Sequence, residues 1–146
     1  MSHSSPRPAI GLIAIVLLAG ICTSFSCSLP SLEKPECSQA RDNVKQFYSW
    51  QLGTDSRERS AHPETARKFV SSSFSTDPGN VENDPFTLST TVPKSFRIGK
   101  CEVLGPDKVK LEVQLLWRDE LDSRQLDVFV EAARSDDRWL ITKVTK

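Results

Sequence analysis

Three side chains have the types that proton chemistry uses and sit in segments with clear periodicity: Tyr48, the single tyrosine, and the carboxylates Asp127 and Glu131. In "RQLDVFVEAA" the acids alternate with Leu126, Val128 and Val130, so a strand places both on the face opposite those aliphatics, with Phe129 between them. Were that face to line a cavity, burial would raise their pKa values and equip them to move protons. A strand face carrying acids is ordinarily the wet side. Tyr48 lies on an apolar helical face, which is ordinarily core. His62 stands beside Pro63 where a helix should begin, a position for capping or solvent exposure rather than general-base work.

Other groupings are weaker. Asp77, Asn80, Glu82, Asn83 and Asp84 collect hard oxygen ligands of the kind calcium accepts, without the regular spacing of a calcium loop, and read as a solvated acidic connection. Ser71, Ser72 and Ser73 have no histidine nearby in sequence to act as base. Beyond residue 26 no cysteines show the two-to-four-residue spacing of a metal knuckle, and glycines occur singly, without a phosphate-cradling loop. No cofactor or metal is implied.

The cysteines speak of compartment. Ala9 to Cys22 is an uncharged run of 14 residues following Arg7. A bilayer core needs about 20 apolar residues in a helix, so the run is sized for the apolar core of an export signal. Ser24 and Ser26 are small residues ahead of Cys27, which suits removal of residues 1–26 as a signal peptide. That cut frees Cys27 as a first residue able to carry lipid, although Phe25 and Ser24 fit the lipoprotein pattern loosely. Ordinary secretion and an uncleaved anchor are the alternatives. Beyond the leader, Cys27, Cys37 and Cys101 form an odd set in a compartment that favours disulfides. Cys37 and Cys101 lie in structured segments and Cys27 in a flexible one, so the simplest pairing is Cys37 with Cys101. Two unpaired buried thiols are the other reading.

Loss of the first 26 residues removes only Arg7 from 19 basic residues and none of 19 acidic ones, leaving a net charge of about −1. With no basic patch, nucleic acid is not an expected partner. Residues 27–36, "CSLPSLEKPE", read as a tether, and residues 37–146 as a single domain of ordinary size.

These residues must be held by a small set of elements. In "ECSQARDNVKQFYSWQLG", Cys37, Ala40, Val44, Phe47, Tyr48 and Leu52 recur at helical steps, with Gly53 as the stop and Trp50 off the stripe. "HPETARKFVSSSF" predicts a second helix, with Pro63 in its first turn and Ala66, Phe69, Val70 and Phe74 on its buried side. A long irregular connection, "STDPGNVENDPFTLSTTVPK", follows. From Phe96 the period becomes two, most clearly in "KVKLEVQLLWR", and "SFRIGKCEVL", "RQLDVFVEAA" and "RWLITKVT" complete four strands joined by short polar turns. The expectation is an α+β fold: two amino-terminal amphipathic helices packed on a twisted four-stranded antiparallel meander.

"VKQFYSWQL", "DPF" at residues 84–86, the "CEVLGPDKVKLEVQL" hairpin and the closing "RWLITKV" together resemble the nuclear-transport-factor-2-like, cystatin-like superfamily, over roughly residues 38–146. More narrowly the chain is similar to small bacterial envelope proteins that join a signal or lipoprotein leader to this domain. The resemblance implies a cone of sheet and helix, a packing role for Trp139 on the last strand, and, in the superfamily's enzymes, acid, tyrosine or histidine side chains inside the cone. It thereby makes Tyr48, Asp127 and Glu131 the ligand-pocket candidates. A fold that serves enzymes, ligand binders and interaction modules does not select among them. The expected function is a non-enzymatic accessory or interaction protein of the cell envelope or periplasm, with an envelope protein as partner and the membrane reached through Cys27 or an uncleaved leader. The alternative is a small-ligand binder or minor enzyme with a cavity between helices and sheet.

Overall fold

The computed structural model describes residues 33–76, 83–118 and 123–146, all within one compact unit, Leu32–Lys146. The leader, Cys27, most of the expected tether and Asp77, Asn80 and Glu82 of the acidic connection lie outside the described residues.

Helix α1 spans Pro35–Gly53 and buries Cys37, Ala40, Val44, Phe47, Tyr48 and Gln51. It starts two residues inside the expected tether, because proline suits the first helical turn, where its missing N–H has no partner to lose. Gln51 takes the buried place expected for Leu52, its amide donating to Asp84 Oδ2 at 3.0 Å. Two short helices follow, α2 (Ser56–Ala61) and α3 (Pro63–Ala66), neither with a buried residue.

The second amphipathic helix does not form. From Val70 the chain is extended, giving β1 (Val70–Thr76). Residues 70 and 74 share a face whether the period is 3.6 or 2, so the spacing of Val70 and Phe74 fits both structures. The serines between them decide against a helix, where their hydroxyls compete with the backbone ladder. β1 gains a partner that no local signal announces, pairing in parallel with the last strand, Val70 opposite Ile141 and Thr76 opposite Val144.

The other strands are β2 (Ser95–Gly105), β3 (Lys108–Arg118), β4 (Ser123–Ser135) and β5 (Arg138–Thr145). They form the expected antiparallel meander, and the sheet runs β1-β5-β4-β3-β2. Among the described residues, five strands, mixed in direction, therefore stand where four antiparallel ones were expected. One long helix among those residues covers the inner face, assisted by the 83–93 segment and by Phe69 and Phe74. The core consists of Val109, Leu111, Val113 and Leu115 on β3, Val128, Val130 and Ala132 on β4, and Trp139, Ile141 and Val144 on β5 beneath α1.

Two devices fix α1 to the edge strand β2. Cys37 and Cys101 form a disulfide with Cα atoms 5.9 Å apart, closing a separation of 64 residues. One turn further along the helix, Arg41 donates to the carbonyls of Ile98 and Gly99 at 3.2 and 2.9 Å and pairs with Glu33. Those carbonyls belong to an irregularity in the β2–β3 pairing between Ile98 and Cys101. An extra residue there leaves backbone groups without ladder partners, and the guanidinium supplies donors for them.

Candidate functional site

Tyr48 is fully buried, and its hydroxyl donates to Phe86 O at 2.7 Å. Its neighbours are rings: Phe47 at 5.3 Å in a T-shaped contact and Phe96 at 5.6 Å. Phe86 continues the cluster to Phe47 at 4.7 Å and Phe74 at 4.8 Å. Trp50, off the helical stripe, stacks on Phe69 at 6.5 Å, so flank packing is its role. Aromatic side chains thus fill the space between α1 and the sheet where a cone-shaped pocket would lie. Burial first, and Asp84 second, push the Tyr48 hydroxyl far above the ordinary tyrosine value.

Asp127 and Glu131 are on the other side of the sheet. Asp127 is exposed and accepts from Gln125 Nε2 at 2.8 Å. Glu131 pairs with Lys108 at 2.6 Å. Phe129 lies between them, 37% exposed, with Lys110 Nζ 5.9 Å from its ring centre. Lys110 also pairs with Glu102 at 2.9 Å. The outward face is therefore a lattice of opposite charges around one phenyl ring. The structure does not bring the three pocket candidates together: the sheet separates the tyrosine from both acids.

His62 is exposed and forms a pair with Glu64 at 3.0 Å, at the junction of α2 and α3. A backbone hydrogen bond, then His62, holds the Glu64 carboxyl below its usual range. Ser71 and Ser73 bond each other at 2.9 Å, with neither engaged by a base. Glu33, Cys37 and Cys101 place ligand atoms within 4.8 Å of one another, but the sulfurs are spent in the disulfide.

A polar recess that sequence reading missed sits between the carboxy-terminal turn of α1 and the 83–93 segment. Asp84 organises it. Its Oδ1 accepts the Phe86 and Thr87 backbone N–H groups, each at 2.9 Å, and a bridge to Ser89 closes the turn. Leu88, at φ 50°, occupies the left-handed region, which a branched side chain seldom enters. Thr87 and Ser89 are buried, and Ser89 Oγ accepts from Arg124 at 2.9 Å while Arg124 lies 4.3 Å from the Trp117 ring. Arg59 donates to the carbonyls of Gln51 and Thr54, joining α2 to the end of α1. The only advance signal was the "DPF" triplet, since a buried glutamine contacting an aspartate 33 residues away leaves no local pattern.

No family model matches this sequence, and among curated proteins none matches. Solved structures do. A Bacteroides thetaiotaomicron protein of unknown function aligns with TM-score 0.50 at 11% identity, over 76% of this chain and 88% of its own. A nuclear-transport-factor-2-like protein of unknown function from Shewanella oneidensis aligns with TM-score 0.44 at 13% identity, over 72% and 96%. A protein named Rd1NTF2_04 with long sheet aligns with TM-score 0.49 at 9% identity, over 75% and 98%. The likeness is one of fold. Among the described residues, a mixed five-stranded sheet packed under one long helix makes an α+β fold, the class that the sequence predicts.

Proposed function

We propose that this chain is an exported accessory module of the cell envelope, attached through lipid at Cys27, which binds another envelope protein and performs no chemistry itself. The observation that carries the reading is the closure of the interior: Phe47, Tyr48, Phe86 and Phe96 pack where a substrate would need space. Recognition then falls to the surface, where Phe129 amid Lys110, Glu102 and Glu131 offers apolar area and charges of both signs. The Cys37–Cys101 disulfide supports an oxidising compartment, and the uncharged run from Ala9 to Cys22 supports export.

Mass spectrometry of the mature amino terminus tests the attachment. The expected product begins at Cys27 and carries the mass of a diacylglyceryl group. An unmodified chain in the medium would favour ordinary secretion, and an intact chain in the cytosol with reduced thiols would sink the reading. For the binding face, a photo-crosslinking residue at position 129 in the native envelope should capture one protein repeatedly, and charge reversal of Glu112, which stands directly opposite Phe129 on β3, by Glu112→Lys should abolish the capture. A second reading, small-ligand binding, draws support from the polar recess around Asp84 and Thr87.

A further inference from the structure

We propose that the recess between the end of α1 and the 83–93 segment binds a small neutral amide, with the acetamido group as the best match in size and polarity. This deepens the small-ligand reading and is independent of the outward sheet face.

The recess has a volume of about 40 Å³ and is lined by Gln51, Leu52, Asp84, Thr87, Val92 and Pro93, with Arg59 and three further hydroxyl side chains. One water-sized occupant takes roughly 10–15 Å³ of such space, so about three or four non-hydrogen atoms fit, the size of CH₃–CO–NH. Lining such a small space with this many polar groups and an apolar rim selects strongly by chemistry.

Thr87 points to a ligand most directly. The residue is 3% exposed, yet its Oγ1 has no hydrogen-bond partner among the described residues. A buried hydroxyl left unpaired is destabilising, and valine of the same shape would avoid the loss. Asp84 adds a second open position. Its Oδ1 is occupied by two backbone N–H groups, whereas Oδ2 accepts from Gln51 Nε2 and retains capacity for another donor.

Charge narrows the class. Asp84 and Arg59 both line the recess, so an ion of either sign is attracted by one and repelled by the other. A neutral group bearing one donor and one acceptor satisfies the site without that conflict. An amide N–H meets Asp84 Oδ2, its carbonyl accepts from the Thr87 hydroxyl, and its methyl rests on Pro93 and on Val92, which is 58% exposed at the rim. Such a group could come from a free small amide or from the acetamido arm of an amino sugar.

The test is titration of the full-length protein with acetamide, N-acetylglucosamine and glucosamine, followed through the backbone amides of Thr87 and Ser89 and the Gln51 side-chain amide by NMR. Saturable shifts with the acetylated sugar but not with glucosamine assign the sugar arm. Shifts with acetamide alone assign a free amide and equally support the site. Thr87→Val should weaken binding at least tenfold while raising the melting temperature of the free protein. The proposal is overturned by no saturable shift with either acetyl compound, by an equal response to glucosamine, or by undiminished binding in Thr87→Val. A lower melting temperature in Thr87→Val would show the hydroxyl already satisfied inside the protein and overturn it as well.

Discussion

Tyr48 brings the chain's one phenol into the contact between α1 and the 83–93 segment, and its energetics follow from where the proton can go. Below the ordinary value of 10.0 the group is protonated both folded and unfolded. Above it, the unfolded chain releases a proton that burial compels the folded chain to keep, so stability falls as pH rises, by up to about 1.4 kcal/mol per pH unit. Tyr48→Phe should flatten that alkaline slope between pH 10 and 11 in thermal melts. At neutral pH the same change should cost about 1–2 kcal/mol, because Phe86 O loses its donor. The helical spacing made burial of this residue legible. What it hid was the partner, a backbone carbonyl 38 residues away in a segment without periodicity.

At the scale of elements, reading succeeded where one period dominated. Alternation in "KVKLEVQLLWR" placed Val109, Leu111, Val113 and Leu115 on the buried side, as observed. It failed where two periods coincide, at Val70 and Phe74, and where the deciding contact is distant: β1 exists because β5 supplies its partner, with Ile141 N–H donating to Phe69 O at 2.8 Å. The turn joining β4 to β5 carries a stability cost that substitution can remove. Asp136 and Asp137 adopt φ of 48° and 62° between the paired residues Ser135 and Arg138, the two-residue turn that favours Asn-Gly. Replacing the pair through Asp136→Asn with Asp137→Gly should stabilise the domain by roughly 0.5–1 kcal/mol, despite loss of the exposed Arg134–Asp137 contact. The check is a higher urea midpoint with an unchanged slope.

For the whole molecule, the pairing of Cys37 with Cys101, read from cysteine parity and the character of the segments, is the long-range contact that the sequence made most legible. The polar recess was least so, since it joins α1, α2 and the 83–93 segment through side chains scattered along the chain. Cys37→Ser with Cys101→Ser should lower stability by roughly 4 kcal/mol on the chain-entropy account of a loop this long. Equal chemical-denaturation midpoints for this variant and the oxidised protein would contradict that account. The bridge also governs how the domain bears load. Because Cys37 is the third residue of α1 and Arg41 grips β2 a turn later, traction arriving from the amino-terminal side passes covalently into the sheet. A helix held only by apolar contacts would peel away turn by turn. This one is riveted at the end where peeling would start.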